Sequence, residues 1–352
     1  MDEIKVLIAD KSLVYKQMFT QGITEVTENA SVVSVADGDE AYTQIRRNNF
    51  DIIIIDAEIS GMNLFELIKI SRIDIPKAFI LVMARPSSAH DRLFPEAISK
   101  GATECMIKPI YDSYSENLDI IKHKITDIAS VLFESRGKKN NGATSLPVLD
   151  EIPVKDHTFS PDIVLIAAST GGPIALEAVI SQLRRDFPVP ILIVQHIPMN
   201  FTENLARNLN HKSKIKVKVA ENDETISAGT AYIAPGGAHM MLDKRQKIYL
   251  DDSPPRSGVR PAADVLFESV AANFTGSGIL VVILTGMGSD GKEGLKRLKE
   301  KRECCCLVQS EETCVVYGMP RAVTENNLAD WILDLDMISS KIEQFDFNQV
   351  KS

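Results

Sequence analysis

The sequence lacks a long hydrophobic run. Its longest apolar stretches, at residues 163–168 and 279–284, are far shorter than the roughly 20 residues that cross a bilayer. The first residues, MDEIK, are acidic and lead into a short apolar stretch, unlike the start of a secretory signal. We therefore expect a cytoplasmic protein with no membrane insertion.

The sequence has fewer positively charged than negatively charged residues. The chain has 39 lysines and arginines against 48 aspartates and glutamates, which gives a formal net charge of -9. Proteins that neutralise many phosphates carry the opposite balance, so nucleic acid and anionic membrane surfaces are excluded as main partners. Lysines at every second position of 212–218 are predicted to line one face of a strand at a sheet edge.

Cysteine is sparse and lacks metal-ligand spacing. Cys105 and Cys314 stand apart, and Cys304, Cys305 and Cys306 are contiguous. Neighbouring side chains on a strand point to opposite faces, so the contiguous three cannot coordinate one ion. The pattern favours reduced cysteines that pack as small apolar residues in a buried strand.

Length and composition are those of a two-domain globular protein. The 352 residues correspond to about two domains of ordinary size, and 44% hydrophobic with 25% charged residues excludes a largely disordered chain. We predict domains at residues 1–130 and 162–346. The intervening residues 131–161 contain a polar run and three prolines, which are typical of a linker.

Short β-rich runs alternate with helix-like stretches in both predicted domains. Five such units in the first domain predict a (βα)5 doubly wound parallel sheet with helices on both faces. The second domain is predicted to be a larger, Rossmann-like α/β domain with a mainly parallel sheet. The predicted strands lie at residues 5–9, 31–36, 51–55, 78–83, 104–107, 163–168, 191–195, 216–220, 231–234, 247–250, 279–284 and 305–308.

Three polar residues follow predicted strand ends in the second domain, namely Ser169, His196 and Asp290. Ligands bind beyond the carboxyl ends of parallel strands, so we expect these side chains to share a crevice. A serine nucleophile needs a base, and the base needs an orienting acid, which these residue types supply. Taken singly, each residue also fits a structural role, as a helix cap or a core histidine.

The turn after Ser169 has the sequence TGGP and precedes a predicted helix near Pro173. Proline suits the first turn of a helix, and the helix start is electropositive. The backbone amides of residues 170–172 are therefore predicted to be able to hold an oxyanion.

A rival interpretation rests on residues 286–291, GMGSDG, which match the G-x-G-x-x-G pattern of dinucleotide-binding proteins. Glu311 lies 20 residues after Gly291, the expected spacing of the ribose-binding acid. However, Asp290 would place a carboxylate in the pyrophosphate cradle, at a cost of about 1 to 4 kcal/mol at 4 Å. A dinucleotide-binding protein stays open as an alternative, as does a signalling adaptor with an idle second domain.

Six motifs in the second half resemble, in order, those of chemotaxis protein-glutamate methylesterases. The first half resembles the response-regulator receiver domain that precedes the esterase in that family. The motifs are ASTGGP at 168–173, VQHIP at 194–198, IAPGGAHM at 233–240, RPAADVLF at 260–267, LTGMGSDG at 284–291 and VYGMP at 316–320.

The resemblance implies a serine hydrolase that demethylates γ-glutamyl methyl esters on the cytoplasmic helices of chemoreceptors and releases methanol. Deamidation of receptor glutamines is implied as a second activity. The family roles are Ser169 as nucleophile, His196 as general base and Asp290 as its orienting acid. Backbone amides near Thr170 and Met287 are the implied oxyanion donors. Hydrolysis is expected to need no cofactor.

The same resemblance implies a phosphoryl pocket in the receiver, with a chemotaxis histidine kinase as phosphodonor. Asp56 corresponds to the phosphoacceptor, Lys108 to the lysine that pairs with the phosphoryl group, and Asp10 to one acid of a Mg²⁺ site. The position of the second acid is Lys11, and the usual Thr or Ser at the end of the fourth strand is Met83.

Both departures remove chemistry that the pocket needs. Mg²⁺ prefers anionic oxygen ligands, so Lys11 weakens the metal site at Asp10. Met83 cannot donate a hydrogen bond to a phosphoryl group. We therefore expect phosphorylation at Asp56 to be weak or uncoupled, with the receiver acting mainly as a docking or inhibitory cover.

Overall fold

The computed structural model describes residues 3–27, 29–85, 90–110, 113–137, 159–197, 199–345 and 347. The chain divides into two compact units, Met1–Ala143 and Thr144–Ser352. Most of the predicted linker, residues 138–158, lies outside the described residues. Its first seven residues belong to a helix that continues to Gly137, and its last, Pro161, begins a strand.

The first unit is a five-stranded parallel sheet in the order β2-β1-β3-β4-β5, which confirms the predicted (βα)5 fold. The central strands β3 and β4 are buried at every residue, as expected for a parallel sheet covered on both faces. The elements are β1 (Ile4–Ala9), α1 (Leu13–Val26), β2 (Ala30–Val35), α2 (Gly38–Arg47), β3 (Ile52–Asp56), α3 (Leu64–Asp74), β4 (Phe79–Ala84), α4 (His90–Ser99), β5 (Glu104–Ile107) and α5 (Tyr114–Gly137).

The second unit contains a seven-stranded sheet in the order β14-β13-β12-β6-β7-β9-β8, with parallel pairing throughout. An antiparallel hairpin, β10-β11, stands apart from it. The elements are β6 (Pro161–Ala168), α6 (Gly172–Ile180), β7 (Ile191–Gln195), α7 (Met199–Lys212), β8 (Lys216–Val219), β9 (Thr230–Ile233), β10 (His239–Leu242), β11 (Ile248–Asp251), α8 (Ala263–Asn273), β12 (Gly278–Ile283), α9 (Lys292–Lys301), β13 (Glu303–Gln309), a 3-10 turn (Glu311–Thr313), α10 (Gly318–Glu325), β14 (Trp331–Leu333) and α11 (Leu335–Glu343).

The large sheet has a hydrophobic core on each face. Odd-numbered residues of β6 from Ile163 to Ala167 belong to one core, and even-numbered residues from Val164 to Ala168 belong to the other. Successive strand side chains point to opposite faces, so an uninterrupted apolar run is what a doubly covered strand requires. This burial fixes β6 at the centre of the sheet, and its carboxyl end leads directly into the predicted site.

All twelve predicted strands are present within two residues of the expected bounds. The strand predicted at 247–250 corresponds to β11 and belongs to the hairpin, outside the large sheet. Two strands were not predicted, because β14 has only three residues and β10, HMML, has no β-branched residue.

The prediction that four alternating lysines share one strand face is wrong, because α7 continues to Lys212 and only Lys216 and Lys218 lie in β8. The predicted edge position is confirmed, since β8 is the last strand of the sheet. Lys218 pairs with Glu221 and Glu224 at 2.7 and 2.8 Å, so its charge is compensated locally.

The contiguous cysteines lie in β13, where Cys306 is fully buried. Burial raises the pKa of Cys304 and Cys305 to about 12, so both thiols are uncharged at neutral pH. Across the part of the chain that the structure describes, no group of three or more His, Cys, Asp or Glu could hold a metal ion. None of the helices described there is long and apolar enough to cross a membrane.

Candidate active site

The three predicted triad residues lie at neighbouring strand ends. Ser169 follows β6 directly, His196 follows β7 directly, and Asp290 lies in the loop after β12. The sheet places β6 between β7 and β12, so the three ends are adjacent. The Ser169 N–H donates to the Thr285 carbonyl and the His196 N–H donates to the Ala168 carbonyl, both at 3.0 Å. These backbone bonds tie the three loops together.

Asp290 holds His196 by a short hydrogen bond, with 2.7 Å between Oδ2 and the ring Nε2. The carboxylate also accepts three backbone N–H groups. Oδ2 accepts from Ala263 at 2.6 Å, and Oδ1 accepts from Asp264 and Gly291 at 3.0 Å. The Asp290 side chain is only 5% exposed, so these donors replace the water that its charge would otherwise need.

Two of the three amides that hold Asp290, those of Ala263 and Asp264, belong to the start of α8. The residue before this helix, Ala262, has no side chain that could cap it, so Asp290 caps the helix from another loop. Burial alone would raise the pKa of Asp290, but the bonds from His196 and from the Ala263 and Asp264 amides lower it below its ordinary value. The carboxylate is therefore ionised at neutral pH, and it accepts a hydrogen bond from the N–H at Nε2 of His196.

His196 consequently has Nδ1 as the nitrogen that can act as a base. Among the described residues, no hydrogen bond joins the Ser169 hydroxyl to the His196 ring. Such contacts are often long without substrate and tighten in the substrate complex. The geometry thus provides an oriented base beside a serine at the adjacent strand end.

Two glycines of the 286–291 loop have a structural reason, and one of them, Gly286, packs closely against Ser169. A Cβ at Gly286 would lie 2.9 Å from the Ser169 Cβ, closer than side chains approach one another. Gly291 has φ +92°, a left-handed conformation that favours glycine, directly after Asp290. Because the loop delivers a buried carboxylate to the start of α8 and to His196, the dinucleotide-binding alternative is not supported.

The predicted oxyanion donors need one correction. The Gly172 N–H donates to the Ser169 carbonyl at 2.8 Å, so this amide is committed to the turn. Thr170 is buried directly beside Ser169, and its carbonyl accepts from the Thr285 hydroxyl at 2.9 Å. The Met287 N–H donates no hydrogen bond within the described residues. The backbone amides of Thr170 and Met287 stay the predicted oxyanion donors.

Comparison with known proteins decides the family. Residues 164–342 match the CheB methylesterase family, and residues 6–116 match the response regulator receiver domain. This chain belongs to the CheB methylesterase family.

Relatives of the CheB family match over nearly the whole chain. A protein-glutamate methylesterase/protein-glutamine glutaminase of Geobacillus kaustophilus is 38% identical over 98% of this chain and 99% of its own length. The protein of that name from Halalkalibacterium halodurans is 35% identical, over 96% of this chain and 97% of its own. The crystal structure of the Thermotoga maritima CheB methylesterase catalytic domain is 40% identical, with a TM-score of 0.50, over 52% of this chain and 97% of that one.

Gln195 is a residue of this CheB-family site that sequence reasoning missed. It ends β7 and is 2% exposed. Its Nε2 donates to the Ser169 carbonyl at 2.9 Å and to the His196 carbonyl at 3.1 Å. The side chain therefore fixes the two loops relative to each other. A polar residue that closes an otherwise apolar strand, as in ILIVQ, was the available signal.

His239 is a second missed residue, at the start of β10. It is 1% exposed, and its Nδ1 accepts the Ala262 N–H at 3.1 Å while Nε2 faces the Pro254 carbonyl at 3.3 Å. This histidine anchors the residue that precedes α8. It therefore helps to aim the amides that hold Asp290.

The receiver unit brings its three predicted pocket residues together. Asp10 follows β1, Asp56 ends β3 and Lys108 follows β5. The Lys108 Nζ lies 2.6 Å from Asp10 Oδ2 and 3.0 Å from Asp56 Oδ2, and all three side chains are at most 2% exposed. Burial dominates at Asp10 and raises its pKa, against the opposing effect of Lys108.

The two departures from the family pattern take different positions. Lys11 is half-exposed and pairs with Glu58, with 3.5 Å between Nζ and Oε2. Met83 is fully buried in β4, directly opposite Asp56 in the strand register. We expected Lys11 and Met83 to disturb the phosphoryl pocket. In the structure, Lys11 directly follows Asp10, and Met83 lies in the strand next to Asp56.

Proposed function

We propose that this chain is a receiver-linked protein-glutamate methylesterase of chemotactic adaptation. The observation that carries the proposal is the hydrogen-bonded His196–Asp290 pair beside Ser169, at three adjacent strand ends of a chain of the CheB family. The substrates are γ-glutamyl methyl esters on the cytoplasmic helices of chemoreceptors, and receptor glutamines are the second substrate class. Because these substrates face the cytoplasm, we place the activity there.

In the first half-reaction the Ser169 Oγ attacks the ester carbonyl, and His196 Nδ1 takes the serine proton. Asp290, ionised and acceptor-only, holds the Nε2 proton and stabilises the imidazolium that forms. The amides of Thr170 and Met287 bind the oxyanion of the tetrahedral intermediate. The intermediate collapses as the C–O bond to methoxide breaks, and the His196 proton is transferred to the methoxide, so methanol leaves an acyl-Ser169.

In the second half-reaction a water molecule attacks the acyl-serine while His196 takes one of its protons. The oxyanion binds to the same amides, the bond to Ser169 breaks, and His196 returns the proton to the serine oxygen. The products are a glutamate side chain and free enzyme. A glutamine substrate follows the same course with ammonia as the leaving group.

The side chains and amides of the site supply nucleophile, base, orienting acid and oxyanion donors, so we propose that hydrolysis requires no cofactor. A chemotaxis histidine kinase would act as phosphodonor only if the receiver accepts a phosphoryl group at Asp56. The residues around Asp56 argue against that step.

A serine-reactive fluorophosphonate probe tests the site. The full-length protein is expected to be labelled at Ser169, with labelling abolished in Ser169→Ala and unaffected in Ser181→Ala, a matched substitution at the end of α6. Slow labelling is expected in Asp290→Asn, because the histidine loses its orienting anion. Labelling at another serine, or equal labelling of Ser169→Ala, would contradict the proposal.

A further inference from the structure

The receiver pocket is closed by its own hydrogen bonds. The Lys108 ammonium binds one oxygen of Asp10 and one of Asp56, at 2.6 and 3.0 Å. The second oxygen of Asp10 accepts the Ser12 N–H at 2.7 Å, and that of Asp56 accepts the Glu58 N–H at 3.2 Å. All four carboxylate oxygens therefore have a donor within the protein.

Lys108 is fixed in place by an aromatic ring. The Tyr15 ring centroid lies 4.7 Å from the Lys108 Nζ, a cation–π distance. The Tyr15 hydroxyl donates to the Pro109 carbonyl at 2.8 Å, directly after Lys108. The Lys108 ammonium, which lies between Asp10 and Asp56, is therefore also held by the Tyr15 ring.

Lys11 provides a second cation at the rim of this pocket. It follows Asp10 at the end of β1, and its Nζ lies 3.5 Å from the carboxylate of Glu58, two residues beyond Asp56. Lys11 therefore neutralises the one further acid that these two loops contribute. The five charged side chains together carry a net charge of -1.

This donor set does not fit Mg²⁺. The ion requires near-octahedral coordination by oxygen and binds through anionic carboxylates that keep part of its water shell. Here the chain position after Asp10, where the family pattern has the second acid, holds the cation Lys11 instead. Within the described residues no cluster of three or more acidic, His or Cys side chains replaces the missing ligand.

Met83 replaces the Thr or Ser that, in the family pattern, contacts the phosphoryl group. It stands opposite Asp56 in the register of β3 and β4, and its carbonyl accepts the Ala57 N–H at 2.7 Å. A thioether donates no hydrogen bond, so the Met83 side chain cannot form a hydrogen bond to a phosphoryl group on Asp56. The backbone contact keeps Met83 in that position.

We propose that the receiver of this chain is a fixed-state domain that does not accept a phosphoryl group at Asp56 through Mg²⁺, and that Lys11 is the residue that excludes the metal. The receiver then contributes to the protein through its folded surface and not through a phosphorylation switch. This inference is independent of the esterase reaction, since it concerns residues of the first unit alone.

The test uses the full-length protein with phosphoramidate and Mg²⁺, read out by intact mass, by peptide mapping of Asp56 and by calorimetric titration with Mg²⁺. The variants are Lys11→Asp, Lys11→Asp with Asp56→Asn, and Lys69→Asp, which makes the same charge change on the exposed surface of α3. Thermal unfolding confirms that each variant is folded. Lys11→Asn, which removes only the positive charge, serves as a second, milder variant.

Wild type and Lys69→Asp are expected to show neither Mg²⁺ binding nor phosphorylation above the EDTA control. Lys11→Asp should gain both, with labelling at Asp56 at least about tenfold above wild type, and Lys11→Asn should lie between them. The double variant should lose the label. Mg²⁺-dependent labelling of wild-type Asp56 would overturn the proposal. So would folded Lys11→Asp and Lys11→Asn variants that neither bind Mg²⁺ nor become labelled.

Discussion

The esterase site and the receiver pocket have similar positions in their sheets and differ in the side chains at the strand ends. Each lies at the carboxyl ends of parallel strands, and each contains a buried carboxylate next to a nitrogen base or cation. In the esterase site, three backbone amides satisfy Asp290, and the histidine keeps one nitrogen for chemistry. In the receiver pocket, two backbone amides and the Lys108 ammonium together give every carboxylate oxygen of Asp10 and Asp56 a donor, and the nitrogen between the two acids is a cation that cannot act as a base.

The difference shows that the parallel sheet determines where a site forms, and that the side chains at the strand ends determine its chemistry. Asp290 is held by α8, so His196 is free to accept a proton. Asp56 is held by Lys108, and the residues at positions 11 and 83 withhold the metal ligand and the hydroxyl that would change its state. The two units therefore differ at a few strand-end positions, within the same architecture.

Apart from removal of the nucleophile itself, the largest effect is expected on the esterase side of this comparison. Asp290→Asn should reduce turnover by about 10⁴, because an amide holds the histidine in the wrong tautomer while leaving its position nearly unchanged. Methanol release from methylated receptor membranes measures the loss. Asp252→Asn, an exposed acid of the same unit, is the matched control. Equal turnover of Asp290→Asn and wild type would remove Asp290 from the mechanism.

A smaller effect is expected at Gln195. Replacing it by Leu removes the donor that joins the Ser169 and His196 carbonyls, and a misplacement of about 1 Å costs roughly 10² in rate. We expect kcat to fall with KM nearly unchanged, because Gln195 positions the loops and does not touch substrate. Gln182→Leu, at an exposed position, controls for the substitution. A change confined to KM would contradict the positioning role.

The lowered pKa of Asp290 predicts how the free energy of unfolding depends on pH. Its folded pKa is lowered, so its stabilising contribution is present above the unfolded value near 3.8 and is lost as the pH falls through the folded pKa. Asp290→Asn should therefore be less stable than wild type by about 1 to 2 kcal/mol at pH 7, with the gap narrowing below about pH 4. Denaturant unfolding at both pH values measures it. A gap independent of pH would show that the charge is not the cause.

The smallest effect is expected on the receiver side. With phosphoramidate and Mg²⁺ present, Asp56→Asn should have the same methanol-release turnover as wild type, because a fixed-state receiver transmits no phosphoryl signal. The Asn variant keeps Lys108 paired with Asp10, and a thermal melt checks its fold. Activation of wild type by the phosphodonor, absent in Asp56→Asn, would restore the phosphorylation switch.

Much of the fold was predictable because parallel strands buried on both faces read as uninterrupted apolar runs. The runs IIIID at 52–56 and ILIVQ at 191–195 need no tertiary information to be recognised. Ser169, His196 and Asp290 were predictable for the same reason, since each follows such a run. Lys11 and Met83 were equally visible as residue types that do not fit their positions.

The remaining features depend on contacts between distant segments. Nothing near Asp290 in sequence indicates that it caps α8, which begins 27 residues earlier. The role of Gln195 depends on two carbonyls brought together by the sheet, and that of His239 on an amide 23 residues away. Lys212 and Lys214 were wrongly assigned to a strand because the alternation of lysines continues across the boundary between the end of α7 and the start of β8.

The central claim is that Ser169 is the nucleophile of a methylesterase, and one measurement tests it most directly. Methanol release from receptor membranes carrying labelled γ-glutamyl methyl esters is compared between the wild-type full-length protein and Ser169→Ala. The account predicts release by wild type and a loss of about 10⁴ to 10⁶ in turnover for the variant, because the triad acts as a unit. Near-normal release by a folded Ser169→Ala protein would contradict it.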